Sequence, residues 1–410
     1  MPLPPLRKPP GAPPRARFPA RLLAVVALVL GTALTGPVPA ARASVALTRV
    51  SDFGSDPGAL TMYVYRPASL PAHPPVVVAL HGCTQNAQVY ADNSGLPRIA
   101  DRDGFLLVLA ETSTANNASR CFNWFQTTDN RRGQGEALSV RQMAAQAVTA
   151  YGADPQRVYV TGLSAGGAMT AVLLATYPDV FSAGAVVAGL PYDCTRDNSP
   201  YTCMNPGVDL SPEQWAQRVR DADPSYTGPW PRTAIWYGDQ DTTVVPRNAT
   251  ELRDQWTALH GLPPTPSRTT AIGPDATQQD QYLAADGTVA VEVDRVPGIG
   301  HGTPVDPGTG TDQCGSTGAP YFPASICSGY WIARFFGLDT SGPGGGGDGD
   351  ASCHTASNYA QVQAGRAIAS GGYTYAKGSQ QNMGLYNTFV THTLKEQPTG
   401  YYTIADNGCP

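Results

Sequence analysis

The chain predicts an α/β architecture, a mostly parallel sheet with helices on both faces, followed by a small disulfide-clipped module. Three observations carry this reading. Continuous apolar runs of strand length recur at residues 76–80, 105–110 and 183–189, the kind buried on both sides in a parallel sheet. Stretches of helical periodicity alternate with them, which within one sheet implies crossover connections. One further run, residues 157–161, passes through Gly162-Leu163-Ser164-Ala165-Gly166 directly into the helix-compatible residues 168–174.

The totals describe a globular, exported protein. Its 410 residues are 41% hydrophobic, enough for a sizeable core, and suit one large domain with or without a small one. A net charge of -5 with 14% charged residues leaves no basic patch for nucleic acid. Near the N-terminus Arg7, Lys8, Arg15, Arg17 and Arg21 precede an apolar run at residues 22–34, and Ala41-Arg42-Ala43 offers a cleavage site. Residues 1–43 therefore read as a signal peptide. The mature chain, from about Ser44, is expected to be extracellular and monomeric, with no stable membrane association once the signal is cleaved. Eight cysteines, with no C-x-x-C spacing, read as disulfides in an exported chain. Sequence does not fix their connectivity. Proximity pairs Cys194 with Cys203 and Cys314 with Cys327. Cys353 and Cys409 bracket the last segment and, if joined, would remove about 4 kcal/mol of unfolded-chain entropy. Cys83 and Cys121 pair by elimination.

Taken in order, the alternation Leu60-Thr61-Met62-Tyr63-Val64-Tyr65 reads as a strand that stops at Arg66-Pro67. After a Pro-rich turn, Val76–Leu80 is a buried strand ending at His81-Gly82-Cys83-Thr84-Gln85. A helical stretch to about Asp101 and the strand at 105–110 follow. The loop 116–130 then carries Cys121-Phe122-Asn123-Trp124-Phe125, whose aromatics are candidates to line a cleft, Trp124 foremost. A helix is expected over 137–151, with Val140, Met143, Ala147 and Val148 on one stripe.

The strand, G-x-S-x-G and helix series is a nucleophile elbow. Small residues must flank Ser164 because the backbone reverses too sharply there for a side chain at Gly162 or Gly166. The helix that follows aims unpaired N–H groups at the point where an oxyanion would form. His81-Gly82 ends a buried strand, where α/β-type serine hydrolases supply a second backbone donor, so the donors are assigned to the amides of Cys83 and Ala165. His81 itself reads as ordering that loop, with a place among the substrate contacts.

A triad also needs a carboxylate and an imidazole from later loops. The strand at 233–238 runs into Asp239-Gln240-Asp241-Thr242-Thr243-Val244-Val245-Pro246; Asp241 has the spacing of a triad acid, with Asp239 as the alternative. The strand at 289–296 leads to Gly300-His301-Gly302, where flanking glycines leave the ring unobstructed, and the order Ser, Asp, His is complete. The segment 314–327 and a helix at 328–336 close the domain, 44–339. A glycine-rich linker spans 340–352. Beyond it, 353–410 is a small module rich in Tyr, Asn and Gln, whose tyrosines form either a platform on a polymer or the core of the module.

Over residues 47–338 the ordered set Phe53-Gly54-Ser55-Asp56-Pro57-Gly58, Leu80-His81-Gly82-Cys83-Thr84-Gln85, Cys121-Phe122-Asn123-Trp124-Phe125, Gly162-Leu163-Ser164-Ala165-Gly166-Gly167, Gly300-His301-Gly302-Thr303-Pro304-Val305-Asp306 and Asp312-Gln313-Cys314-Gly315 resembles the secreted polyhydroxybutyrate depolymerase family of esterases, with the α/β-hydrolase fold. The resemblance implies Ser164 as nucleophile, Asp241 and His301 as its partners, Cys83 at the oxyanion, and no metal or organic cofactor. The implied function is serine-esterase hydrolysis of short-chain polyhydroxyalkanoates. The alternative is removal of feruloyl or acetyl groups from plant cell-wall polysaccharide, since the same family includes such esterases. The short tail departs from the larger binding domains of many polymer-degrading members.

Overall fold

The computed structural model describes residues 44–339, 353–397 and 401–406. The expected signal peptide, the linker and Cys409 lie outside these residues. In chain order the elements of the larger part are β1 (Thr48–Val50), β2 (Thr61–Tyr65), β3 (Val76–Leu80), α1 (Ala87–Ser94), α2 (Leu96–Asp103), β4 (Leu106–Glu111), α3 (Gly135–Tyr151), β5 (Val158–Leu163), α4 (Ala165–Thr176), β6 (Ala183–Val187), α5 (Pro200–Met204), α6 (Pro212–Arg220), β7 (Arg232–Gly238), α7 (Arg247–Leu259), β8 (Arg268–Ile272), β9 (Thr277–Leu283), β10 (Val289–Val296) and α8 (Ser328–Phe336).

The ten strands form one sheet in the order β1-β2-β4-β3-β5-β6-β7-β10-β9-β8. From β4 to β10 every neighbouring pair is parallel. The edges are antiparallel, β1 and β2 on one side and the β8–β9 hairpin on the other. Side-chain alternation explains why β3 has no polar face: Val76, Val78 and Leu80 join one core, whereas Val77 and Ala79 join another on the opposite face. α3, α4, α6 and α7 cover the first face through Met143, Met169, Trp215 and Trp256. α1, α2 and α8 cover the second through Tyr90, Ile99 and Phe336. Every residue of α4 is buried, which is why its sequence is apolar all round rather than amphipathic.

The helices begin where local chemistry lets them. Asn86 accepts the Val89 N–H at the start of α1, and Ser211 and Gln214 form a reciprocal capping box on α6. Disulfides join Cys83 to Cys121, Cys194 to Cys203 and Cys314 to Cys327. Among the described residues no helix is long and apolar enough to cross a membrane.

The C-terminal part contains β11 (Cys353–Ser357), α9 (Asn358–Gln363), β12 (Ala367–Ser370), β13 (Tyr373–Ala376), β14 (Asn382–Leu385), β15 (Thr391–Gln397) and β16 (Tyr401–Ile404). Two three-stranded sheets, β11-β15-β16 and β12-β13-β14, enclose a small core of Ala367, Ala376, Met383, Leu394 and Tyr402. Tyr402 is in this core, whereas Tyr359 and Tyr373 are exposed.

Candidate active site

Ser164 stands at the tip of the β5–α4 turn, with φ 57° and ψ −115°, a conformation few non-glycine residues adopt. The surrounding backbone leaves no alternative path. A Cβ at Gly162 would lie 2.5 Å from the Gly166 carbonyl oxygen, one at Gly166 would lie 2.4 Å from that of Leu80, and one at Gly167 would lie 2.7 Å from that of Val187. The Ser164 N–H donates to Val187 at 2.9 Å, tying the turn to the end of β6. Its side chain remains partly exposed.

His301 follows β10, and its Nδ1 lies 2.7 Å from Oδ2 of Asp241, which follows β7. A carboxylate only accepts, so Nδ1 carries the proton and Nε2 is left with a free lone pair. Asp241 is itself fixed: its Oδ1 accepts the N–H groups of Thr243 and Val244 at 2.8 and 2.9 Å. The two loops meet because β7 and β10 are neighbours and because Gly238 has no side chain; a Cβ there would lie 2.4 Å from the Ile299 carbonyl oxygen. Ser164 Oγ makes no hydrogen bond to the ring in this structure; in sites of this type the contact commonly tightens with substrate in place.

Of the two glycines flanking His301, Gly302 does other work than freeing the ring. Gly302 makes room for the 321–323 segment, since a Cβ would lie 2.6 Å from the Tyr321 carbonyl oxygen, and the ring is held between Asp241 and the edge-on ring of Tyr321. Asp239, the alternative acid, turns away from the imidazole. It accepts the Gly298 N–H at 2.8 Å and the Arg295 guanidinium at 3.0 Å, bracing the turn that carries His301, and the Gly298 hydrogen bond holds its carboxyl below the usual range.

The candidate oxyanion donors come from two elements. Ala165 is the first residue of α4, where N–H groups have no helical acceptor. No acceptor within the described residues takes the Cys83 N–H, although its neighbours are all engaged: Gly82 N–H to Gln85 Oε1 at 3.0 Å and Thr84 N–H to the Ser119 carbonyl at 2.6 Å. Gln85 then reaches the Pro320 carbonyl with its amide group at 3.3 Å.

One expectation is corrected. His81 is 1% exposed, and its Nδ1 donates to the Gly82 carbonyl at 2.8 Å while Nε2 accepts the Thr112 N–H at 3.3 Å. Both ring nitrogens are used, so His81 orders the loop and has no atom left for a substrate. Burial pushes its pKa down to about 4, which keeps it neutral. Trp124 is 7% exposed, sits edge-on to Phe125 and belongs to the core, so burial is the larger part of its role.

Glu136, in the first turn of α3, was not singled out by the sequence. Its fully buried carboxyl accepts the Asn123 N–H at 2.6 Å and lies 3.4 Å from the Thr112 hydroxyl, so it pins the loop disulfide-linked to Cys83. Burial raises its pKa from 4.5 to about 8, outweighing the Asn123 hydrogen bond.

Two outcomes follow. Asp241→Asn keeps an oxygen for the Thr243 and Val244 amides but turns an amide N–H toward His301, forcing its proton onto Nε2. Turnover of nitrophenyl butyrate should fall by about 10³- to 10⁴-fold with the fold retained, whereas near wild-type turnover would remove Asp241 from the triad. For Glu136, the folded protein retains a proton that the unfolded chain releases. The stability linked to its neutral form is complete below about pH 4.5 and declines as pH rises toward 8. The melting temperature of the wild type should therefore fall more steeply from pH 5 to about 8 than that of Glu136→Gln; parallel curves from calorimetry would exclude this carboxyl as the source.

Comparison with known proteins agrees with the geometry. The family model described as Esterase PHB depolymerase matches residues 59–273. The chain is 47% identical over 294 residues to Poly(3-hydroxyalkanoate) depolymerase C of Paucimonas lemoignei, covering 72% of this chain and 70% of that protein. It is 32% identical over 307 residues to feruloyl esterase B of Talaromyces stipitatus, covering 73% and 84%. Among solved structures, the acetyl xylan esterase from Aspergillus awamori superposes with a TM-score of 0.57 at 30% identity, over 62% of this chain and 94% of that one. With the elbow, the Asp241–His301 pair and the matched length together, the chain belongs to the PHB depolymerase family of esterases.

Proposed function

We propose that this protein is a secreted serine hydrolase of short-chain polyhydroxyalkanoates such as polyhydroxybutyrate, working through Ser164, His301 and Asp241. The observation that carries the reading is the 2.7 Å contact of His301 with an Asp241 already pinned by two amides, on the same sheet edge as the strained Ser164. His301 Nε2 takes the Ser164 proton as Oγ bonds to the ester carbonyl carbon. The amides of Cys83 and Ala165 receive the resulting oxyanion. The imidazolium then protonates the alkoxy oxygen, the carbon–oxygen bond breaks and the alcohol leaves. Water adds by the same route in reverse, freeing the acid and restoring Ser164. Each oxyanion donor is worth about 10²- to 10³-fold in rate.

A second reading keeps the chemistry and changes the acyl group. The likeness to an acetyl xylan esterase structure and to a feruloyl esterase supports deacylation of plant cell-wall polysaccharide. Clearing of polyhydroxybutyrate film, set against release of ferulate or acetate from xylan, separates the two. Film clearing by the wild type and none by Ser164→Ala is the expected result; release from xylan alone would favour the second reading, and equal rates of the two proteins on nitrophenyl butyrate would remove the enzyme.

The C-terminal module is read as the part that holds the polymer. Tyr373 and Leu385 are cross-strand neighbours, both exposed, and Tyr359 lies 5.7 Å from Tyr386, with Phe389 89% exposed on the following turn. Exposed apolar side chains grouped in this way suit a water-insoluble polyester surface. Phe389→Ala with Leu385→Ala should lower retention on polymer granules several-fold while nitrophenyl butyrate turnover is unchanged. Undiminished retention would assign polymer contact elsewhere.

A further inference from the structure

We infer that Tyr321 contacts the alcohol portion of the ester and sets which alcohols the enzyme accepts. This rests on the esterase reading above. Three features of Tyr321 converge. Its ring packs edge-on to His301, centroids 5.9 Å apart at 77°. It is 44% exposed, and its hydroxyl makes no hydrogen bond among the described residues. Its backbone is left-handed, φ 69°, in a residue type that rarely takes that conformation.

Such a conformation persists only where the surroundings over-determine it. Here they do. The Tyr321 carbonyl accepts the Thr303 N–H at 2.8 Å, two residues after His301, and the Pro323 carbonyl accepts the Val305 N–H at 3.0 Å. On the other side, Gln85 joins the Pro320 carbonyl to the Gly82 N–H, so one side chain couples the Tyr321 segment to the loop of the candidate oxyanion donor Cys83. The Cys314–Cys327 disulfide closes the segment. The backbone at Tyr321 is thus fixed beside the loops assigned to the chemistry, with the side chain partly exposed and its hydroxyl without a hydrogen-bond partner among the described residues.

The direction of the reaction decides what it meets. The carbonyl oxygen must point at the amides of Cys83 and Ala165. The alkoxy oxygen must face the imidazolium that protonates it, so the alcohol extends past His301. The ring beside His301 is Tyr321. In a polyester that alcohol is the next hydroxyacyl unit, extended enough to lie on an aromatic face and bearing carbonyl oxygens that a phenol can hydrogen-bond. The acyl group departs on the opposite side and does not meet this ring.

The experiment varies the two halves of the ester separately, using the full chain. With butyryl held constant, methyl butyrate is compared with the butyryl ester of methyl hydroxybutyrate; with nitrophenol held constant, acetyl, butyryl and hexanoyl esters are compared. Tyr321→Ala should lose about tenfold in kcat/KM on the extended alcohol relative to methyl butyrate, mostly through KM, with acyl preference unchanged. Tyr321→Phe separates the hydroxyl from the ring. Tyr321→Gly, which suits a left-handed backbone, should show the same discrimination as Tyr321→Ala with the fold retained. An equal loss on both alcohols would mean that Tyr321 acts only by positioning His301 and would overturn the inference, as would a change confined to acyl preference. A wild type inert toward every one of these esters would instead overturn the esterase reading itself.

Discussion

The structure depends on a backbone reversal made where three strand ends crowd together. The turn at Ser164 runs between the end of β3 and the end of β6 so closely that Gly162, Gly166 and Gly167 each face a carbonyl oxygen less than a side chain away. A left-handed serine costs on the order of 1 to 3 kcal/mol. That cost is offset by burial of all of α4 and β5, which cannot shift without opening both cores. Crowding therefore does two things at once: it raises the hydroxyl above the sheet, and it brings the loop after β3 beside the first turn of α4. The candidate oxyanion donors are neighbours because their strands are.

What could be read from the sequence was local. β3 is a continuous apolar run, β10 sets Val289, Val291 and Val293 at alternate positions, and α8 has its own periodicity, so their bounds agree with the pattern to within a residue. The elbow, the Asp241 loop and the His301 loop each carry a short spacing that the chemistry itself demands. The β8–β9 hairpin was not legible. β9 alternates, but its inward side chains include Gln279 and Gln281, which pair with Asp294 and Glu292 of β10. Those buried carboxyls are raised by desolvation, Glu292 to about 7. A strand whose buried face is polar has no hydrophobic period to detect.

The same distinction separates the site residues. Ser164 and His301 are marked by the glycines beside them, even though the reason for Gly302 proved to be a close approach by the 321–323 segment rather than freedom of the ring. Glu136, Gln85 and Tyr321 act across 13, 235 and 20 residues of chain, respectively. No local spacing records such contacts. They are also the groups that hold loops to one another: Glu136 ties down the 121–124 loop, Gln85 joins the loop after β3 to the 320 segment, and Asp239 braces the turn before His301. The sheet delivers the loop ends to one edge, and these few polar side chains fix what lies beyond it.

The neutrality of His81 completes this account. A histidine beside Gly82 and Cys83 could have placed a positive charge near the candidate oxyanion donors, but burial pushes its pKa down to about 4 and keeps it uncharged near neutrality. The Cys83–Cys121 disulfide beside it is uncharged as well. In the proposed mechanism the oxyanion would be met by backbone dipoles, from Cys83 and from the first turn of α4. Dipoles held by strand pairing, a disulfide and a doubly hydrogen-bonded neutral imidazole need no reorganisation as charge develops. A protonated Nε2 could no longer accept the Thr112 N–H, so the buried, neutral ring is the form that keeps both of the hydrogen bonds ordering the loop.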